Sequence, residues 1–332
     1  MSVTLRSRLF ASAAAFAAVL AAALPAAALD GVVASIKPVH SLVAAVMEGV
    51  GTPALIVRGA GSEHVHSLRP SDAEALEKAG VVFRVGEGME TFLNGPLKTL
   101  AAGARVVSLE DAPGLEKLAF REGGPFEAHA HGDGHDRDDG DAHESEGHGH
   151  DHDHDHDRDA HDLHIWLDPL NARAMVAEIA RVLAEADPGN AMRYLANAQA
   201  YSARIDALAA EIGALVEPVR RRPAVVFHDA YQYFEKRFGV NVVGSITVSP
   251  EVMPGAQRLS EIRDKVRELD AACVFSEPQF EPRLVAVVIE GTDARTGVLD
   301  PLGAEIPDGP DLYLTLMRNL AGSLAACLSG KG

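Results

Sequence analysis

Cysteine is scarce in this sequence, with only Cys273 and Cys327 among 332 residues. The two are not spaced as Cys-x-x-Cys, so they are not a metal site by themselves. In an oxidising compartment such a pair usually forms one disulfide, and the alternative is two buried thiols. We expect the disulfide, because the N-terminal segment described below predicts export.

Basic residues are few relative to acidic ones. Lysine and arginine number 30 against 48 aspartates and glutamates, which gives a formal net charge of −18. The phosphates of nucleic acid would repel so acidic a chain, and this argues against a nucleic-acid-binding protein. The same charge is compatible with a protein that binds cations.

Motifs of common hydrolases and nucleotide-binding enzymes are missing. The sequence contains neither Gly-x-Ser-x-Gly nor Gly-x-x-x-x-Gly-Lys, and it contains no His-Glu-x-x-His. The nearest approach to the last motif, His143-Glu144-Ser145-Glu146-Gly147-His148, has one residue too many. We therefore predict a binding protein and not an enzyme. The alternative from another class is a zinc hydrolase that uses Glu63 as its base.

The only long apolar run lies at the N-terminus. Two arginines precede a mainly alanine segment from Leu9 to Leu24, and Pro25-Ala26-Ala27-Ala28 has the pattern of a cleavage site. This order predicts a signal peptide over residues 1–28. A membrane anchor is the alternative, but the run is short for a span and no stop-transfer segment follows. We expect the mature protein to be exported and soluble, with no membrane span.

Short valine-rich runs alternate with helical patterns in two halves of the chain. Such runs are typical of buried parallel strands, and the alternation predicts helices packed on a parallel sheet. The strands are predicted at 32–36, 54–57, 81–85 and 105–109 in the first half and at 224–227, 242–246, 272–275 and 297–299 in the second.

The predicted fold is therefore α/β, with two domains that have mainly parallel sheets and are joined by one long helix. A signal peptide over 1–28 precedes the N-terminal domain at 29–189. The linking helix is placed at 190–221, and the C-terminal domain follows at 222–332.

Two helix starts are predicted in the first domain. One follows Lys37-Pro38, because proline suits the first turn of a helix. The other is placed at Ser71, where Glu74 three residues later would complete a capping box. Both predictions depend on local sequence alone.

The composition changes abruptly between Glu127 and Asp162. This tract has ten of the 15 histidines, and its fourteen acidic residues against two arginines give it a formal charge of −12. Because it has almost no apolar side chains, we predict a disordered loop that collects zinc weakly. The alternative is a solvated insertion that binds zinc only incidentally. Five closely spaced histidines are the predicted auxiliary ligands: His148, His150, His152, His154 and His156.

Five histidines lie outside this tract, and three of them stand where a ligand site is expected. His64 and His228 follow predicted strands, and open α/β sheets bind ligands at the carboxyl ends of their strands. His164 lies in the first apolar segment after the tract. Imidazole is the commonest zinc ligand, and three imidazoles with one carboxylate or water form a tetrahedral site.

Six segments of the sequence resemble the ZnuA family, the periplasmic zinc-binding components of ABC importers. The similarity extends over nearly the whole mature chain. The segments are Gly61-Ser62-Glu63-His64, Ser67-Leu68-Arg69-Pro70-Ser71-Asp72, His164-Ile165-Trp166-Leu167, Val226-Phe227-His228-Asp229-Ala230-Tyr231, Ser276-Glu277-Pro278-Gln279-Phe280 and Leu299-Asp300-Pro301-Leu302-Gly303.

This resemblance implies two α/β domains joined by a rigid helix, with metal held between them. It implies that His64, His164 and His228 bind zinc and that the two cysteines form a disulfide. It also implies an acidic, histidine-rich loop and a membrane permease as partner, and we expect a monomer. The alternatives are a manganese-binding relative or a general metal buffer or adhesin. Imidazole at position 228, where manganese-binding relatives have a carboxylate, favours zinc.

The fourth zinc ligand stays open between Glu63, Asp300 and water. Glu63 is adjacent to a predicted ligand, and Asp300 follows the last predicted strand but is also suited to a turn. Two further histidines are expected not to bind the ion. His66 differs from relatives at its position and is predicted to be exposed, and His40 is predicted to be a structural residue of the first helix.

Overall fold

The computed structural model describes residues 29, 31–121, 126, 161–247, 254–280 and 283–330. The predicted signal peptide and the auxiliary histidines of the tract lie outside the described residues. The two last residues of the tract, His161 and Asp162, lie inside them.

The first sheet has four parallel strands, β1 (Val32–Ala34), β2 (Ala54–Leu55), β3 (Val81–Arg84) and β4 (Arg105–Ser108). Their order is β2-β1-β3-β4, so the connections run to both sides of β1. The predicted strand positions are confirmed, although each strand is one or two residues shorter than its apolar run. Strand β3 is buried along its whole length, as expected for an interior strand covered by helices on both faces.

Three helices pack on this sheet: α1 (Lys37–Val46), α2 (Pro70–Glu77) and α3 (Asn94–Thr99). Helix α1 begins at Lys37, slightly before the predicted start, and Pro38 lies in its first turn as predicted. The predicted start of α2 was wrong by one residue, because Pro70 occupies the first helical position and Arg69 is the N-cap. Asp72, not Glu74, closes the first turn by accepting the backbone N–H of Arg69 at 3.0 Å.

The two halves of the chain are connected by α4 (Pro169–Ala186) and the long helix α5 (Ala191–Val216). A short 3-10 turn at Pro188–Asn190 separates them, where the sequence Asp-Pro-Gly-Asn interrupts the helical pattern. Helix α5 has 26 residues and buries one apolar stripe along its length. The predicted α/β fold with two sheets and a long joining helix is confirmed.

The second sheet repeats the topology of the first. Its parallel strands are β5 (Ala224–His228), β6 (Val242–Thr247), β7 (Cys273–Ser276) and β8 (Arg295–Val298), in the order β6-β5-β7-β8. The helices of this half are α6 (Gln232–Phe238), α7 (Ala256–Glu268), α8 (Arg283–Ile289) and α9 (Leu312–Ser329). We call the first sheet with α1–α4 the first lobe and the second sheet with α6–α9 the second lobe.

A disulfide links Cys273 of β7 to Cys327 of α9, as the resemblance implied. It fixes the last helix to the second sheet. No helix within the described residues combines the length and the apolar character needed to cross a membrane.

The two lobes share one hydrophobic core. Trp166, Tyr194 and Tyr313 are completely buried in it, and it includes residues of both sheets and of α5. Polar contacts reinforce this junction: the indole of Trp166 donates to Pro301 O at 2.9 Å, and Tyr313 Oη donates to Trp166 O at 2.9 Å. Lys37 of α1 also donates to Ile306 O at 2.8 Å. The lobes are thus packed firmly together behind the carboxyl edges of their sheets.

Candidate metal centre

The loop after β2 places Glu63 and His64 at the edge of the first lobe. Gly59 has a φ of 62°, a left-handed conformation that glycine adopts without strain. Ser62 Oγ then accepts the backbone N–H of His64 at 3.1 Å, which forms a tight turn of the kind serine favours. The turn points the two side chains inward, so that Glu63 is 1% exposed.

His164 lies directly before the 3-10 helix Ile165–Leu167, which leads into α4. The three residues of this helix are fully buried and fix the backbone that follows the tract. His228 is the last residue of β5, where the strand passes from the interior of the second sheet to its carboxyl edge. The first lobe therefore supplies three candidate ligands and the second lobe supplies one.

The four side chains converge on one point. The donor atoms of Glu63, His64, His164 and His228 all lie within 4.8 Å of one another. The Nε2 atoms of His164 and His228 are 3.3 Å apart. Glu63 Oε1 lies 3.8, 3.7 and 3.9 Å from the Nε2 atoms of His64, His164 and His228, respectively.

These spacings suit a tetrahedral ion. Zinc–nitrogen bonds of about 2.0–2.1 Å place two ligands of a tetrahedron about 3.3–3.4 Å apart. The two histidines from opposite lobes already have this separation, and the glutamate oxygen is slightly farther away. Glu63 Oε1 is buried and has no hydrogen-bond partner among the described residues. A buried carboxylate oxygen in this condition is costly unless a cation occupies the space beside it.

One side of the centre is open to solvent. The side chain of His64 is 23% exposed, whereas those of His164 and His228 are 8% and 1% exposed. His64 is therefore the most accessible of the three imidazoles to solvent.

The far ring nitrogens of two ligands are held by buried carboxylates. His164 Nδ1 lies 2.7 Å from Asp162 Oδ1, and His228 Nδ1 lies 2.7 Å from Glu277 Oε1. A carboxylate accepts only, so each Nδ1 carries the hydrogen and each Nε2 can present its lone pair to a metal.

The electrostatics of the metal-free centre favour protonated imidazoles. Burial alone would lower the pKa of His164, but the carboxylates of Asp162 and Glu63 raise it to about 10. Burial likewise opposes a charge on His228, and Glu277 raises its pKa. Because the two Nε2 atoms are 3.3 Å apart, a proton on one ring disfavours a second on the other.

The glutamate is charged under all ordinary conditions. Burial would raise the pKa of Glu63, but the imidazoles of His164, His64 and His228 hold it at about 2. The centre thus offers an ionised carboxylate to an incoming cation.

Beside the centre, Arg121 connects the lobes through buried acidic residues. It forms ion pairs with Asp229, which follows His228, and with Glu235 at 2.7 Å. Burial raises the pKa of Glu235 to about 7, although Arg121 opposes this. Through these ion pairs Arg121, which precedes the tract by six residues, contacts the second lobe next to a candidate ligand.

Asp300 is not part of this group. Its carboxylate accepts the backbone N–H groups of Leu302, Gly303 and Ala304 at 3.1, 2.9 and 2.6 Å. Gln279 Nε2 also donates to it at 3.2 Å. These contacts are those of a turn residue.

The two histidines predicted not to bind the ion also lie outside the group. His66 Nε2 is 3.6 Å from Asp72, and its ring packs on Phe92, so it is half-buried and not exposed as predicted. His40 is buried in α1 with Nε2 3.1 Å from Pro53 O, and burial lowers its pKa. That arrangement is structural, as the sequence predicted.

Sequence reasoning missed the residues around the ligands. Asp162 was assigned to the disordered tract, although it stands two residues before His164 and is 2% exposed. Glu277 appeared only within a segment of family resemblance. The role of Asp162 had a signal in the sequence, because an aspartate two residues before a histidine can reach its ring from the same turn. The role of Glu277 had none, because no local pattern pairs residue 277 with residue 228.

Comparison with known proteins places the chain among metal-binding transport components. A sequence profile described as ZnuA, zinc-uptake complex component A, periplasmic, matches residues 32–327. The chain is 61% identical over 307 residues to the high-affinity zinc uptake system protein ZnuA of Brucella suis biovar 1 (strain 1330), an alignment that covers 90% of this chain and 92% of that protein.

Solved structures share the fold. A ZnuA 138–173 deletion mutant with zinc bound has a TM-score of 0.70 at 22% identity, over 90% of this chain and 97% of that one. A manganese-bound periplasmic metal-binding protein from Candidatus Liberibacter asiaticus has a TM-score of 0.69 at 19% identity, over 90% and 98% of the two chains. At these identities the neighbours establish the architecture alone.

Proposed function

Since the chain belongs to the ZnuA family of periplasmic zinc-uptake components, we propose that it captures Zn²⁺ in the periplasm and delivers it to the permease of an ABC importer. The observation that carries the proposal is the convergence of three imidazoles and one carboxylate within 4.8 Å between the two lobes. Such a group between packed lobes suits reversible binding of one small cation.

The zinc ligands of this proposal are His64, His164 and His228 through Nε2 and Glu63 through Oε1. The fourth position goes to Glu63, because its buried oxygen lies 3.7–3.9 Å from all three Nε2 atoms. Asp300 is a poorer candidate, since its carboxylate already accepts backbone and amide hydrogen bonds.

The donor set favours zinc over manganese. Three imidazole nitrogens and one carboxylate oxygen form a four-coordinate site of the kind zinc occupies, whereas manganese prefers more oxygen ligands in an octahedral arrangement. Manganese-bound structures share this fold, so the ligands and not the architecture must carry the choice.

The arrangement suits binding and not catalysis. A catalytic zinc site keeps one open position for water, and four protein donors around the ion would leave none. We therefore propose a non-enzymatic transport component, which starts with a signal peptide over residues 1–28 and acts as a monomer. A zinc hydrolase would instead turn over ester or peptide substrates in the presence of zinc.

The histidine-rich tract from Glu127 to Asp162 is proposed as a weak zinc reservoir. Its charge of −12 raises the local concentration of cations, although flexible ligands bind each ion less tightly than a preformed site. His161 forms an antiparallel bridge with Ala119 and lies three residues before His164, so the end of the tract leads directly to a proposed ligand.

The test is a metal competition with the mature protein. Zinc and manganese are titrated separately against a chelator of known affinity, and the protein loaded with one metal is then challenged with the other. We expect one tight zinc site that a large excess of manganese does not displace. Equal or tighter binding of manganese, or no tight site for zinc, would contradict the proposed function.

A further inference from the structure

Asp162 ends the acidic tract, yet its side chain belongs to the metal centre. Its Oδ1 atom accepts from the backbone N–H of His164 at 2.9 Å and from Nδ1 of the same residue at 2.7 Å. A residue of a solvated acidic loop would be exposed, whereas Asp162 is 2% exposed. One oxygen thus fixes both the backbone and the ring of a proposed zinc ligand.

The backbone of Asp162 is fixed as well. Its N–H donates to Leu118 O at 2.8 Å, and its carbonyl oxygen accepts from Tyr233 Oη at 2.6 Å. Tyr233 belongs to the second lobe and also accepts the N–H of Leu118 at 3.1 Å. These contacts therefore hold the backbone of Asp162 in place, with Tyr233 supplied by the second lobe.

The second lobe contains the same arrangement. Glu277 Oε1 accepts from the backbone N–H of His228 at 3.3 Å and from its Nδ1 at 2.7 Å. Glu277 is 3% exposed. In each lobe, therefore, one buried carboxylate oxygen accepts from both the ring and the backbone of a proposed ligand. Because the two carboxylates come from unrelated segments of the chain, the repeated arrangement indicates that both position a ligand.

We propose that Asp162 is a positioning residue of the zinc centre and not part of the metal-collecting tract, with Glu277 as its counterpart for His228. Each carboxylate keeps the hydrogen on Nδ1, directs the Nε2 lone pair at the ion and increases the basicity of the ring. The inference rests on the proposed function, because it requires His164 and His228 to be ligands.

The test compares Asp162→Ala and Asp162→Asn with the matched pair Asp206→Ala and Asp206→Asn in the full mature chain. Asp206 pairs with Arg173 at the surface, and its side chain is 50% exposed. Zinc affinity is measured by chelator competition with half an equivalent of zinc, so that the tightest site fills first. Loss of a partner of this kind typically weakens metal affinity about 10–100-fold.

We expect that loss for Asp162→Ala and a smaller one for Asp162→Asn, because the amide oxygen still accepts from Nδ1 but carries no charge. The Asp206 variants should bind zinc as the unsubstituted protein does. Cobalt(II) absorption supplies a readout that a purely structural role would not move. The bands of a tetrahedral centre should weaken or shift in Asp162→Ala.

Unchanged affinity and cobalt bands in Asp162→Ala would overturn the inference. So would a loss of affinity that the Asp206 variants share. If the alanine variant fails to fold, Asp162→Asn decides, and unchanged zinc binding in that variant overturns the inference. Failure of the proposed function is distinguishable, because the unsubstituted protein would then lack a tight zinc site.

Discussion

His164 and His228 come from opposite lobes and stand 64 residues apart, yet their Nε2 atoms are 3.3 Å from each other. This separation is the spacing of two ligands on one tetrahedral zinc ion, about 3.3–3.4 Å. The proposed site therefore exists only while the lobes are packed together. A permease that moved either histidine by a few ångströms would break the ligand set and release the ion.

Each of the single substitutions His64→Ala, His164→Ala and His228→Ala should weaken zinc binding by orders of magnitude. Each change removes one of four ligands and leaves an open position. The measurement is chelator competition in a protein lacking residues 127–160, so that tract histidines do not compensate. His40→Ala is the matched control, since that ring contacts Pro53 O and lies outside the centre. Unchanged affinity in two of the three variants would refute the ligand assignment.

Zinc binding should release protons and weaken as the pH falls. In the metal-free protein the pKa of His164 is raised to about 10 and that of His228 is also raised, so a proton must leave before Nε2 binds the ion. Acid favours the protonated metal-free form, and therefore apparent affinity falls as pH decreases from 9 towards 6, by about tenfold per pH unit for each proton released.

Calorimetry in buffers of different ionisation enthalpy measures this release directly. At pH 7.5 we expect on the order of one proton released per zinc bound at the tight site. Glu63 contributes nothing in this range, because its pKa is about 2. Zero proton release together with a flat pH dependence would contradict the protonation state described here.

Deletion of residues 127–160 should lower total zinc stoichiometry by one or more and leave one tight site. The tract supplies many histidines but, in the proposed arrangement, none of the four primary ligands. The deletion keeps His161 and Asp162, whose contacts with Ala119 and Leu118 join the chain segments on either side of the tract. If the tight site disappears in this variant, the tract provides primary ligands. If neither stoichiometry nor zinc uptake changes, the reservoir proposal fails.

Removal of the disulfide should destabilise the protein without affecting the zinc centre. The bond closes a segment with a sequence separation of 54 residues, for which chain entropy predicts about 4 kcal/mol. In a domain of this size we expect the melting temperature to fall by up to about 10 °C in Cys273→Ser/Cys327→Ser protein. Zinc stoichiometry at the tight site should stay at one. An unchanged melting temperature, or loss of the site, would contradict this.

Much of the fold could be predicted from the sequence because its signals are local. The buried interior strands β1, β3 and β5 are short valine-rich runs, because a strand covered on both faces of a parallel sheet needs apolar residues on both faces. Boundaries were less accurate: α2 begins at Pro70, one residue before the predicted start, because a proline at the first helical position outweighed the serine capping pattern.

The candidate site was predictable only in part. His64 follows a strand and His228 is the last residue of one, and these positions suggested a ligand role. The sequence left the fourth ligand open between Glu63, Asp300 and water. Our proposal of Glu63 depends on hydrogen bonds from the backbone of residues 302–304, which occupy the Asp300 carboxylate, whereas Glu63 Oε1 lies beside the imidazoles. Pairing of Glu277 with His228 arises from the contact of β5 with β7, which no local pattern encodes.

X-ray absorption at the zinc edge tests the central claim most directly. The sample is the protein lacking residues 127–160, loaded with slightly less than one equivalent of zinc. We predict four nitrogen or oxygen ligands at about 2.0–2.1 Å, with the multiple scattering of three imidazoles. In the Glu63→Gln variant the scattering of the three imidazoles should persist, while the contribution of the fourth ligand to the zinc coordination shell should change. A spectrum with fewer than three imidazoles, or with six oxygen-dominated ligands, would contradict the proposed site.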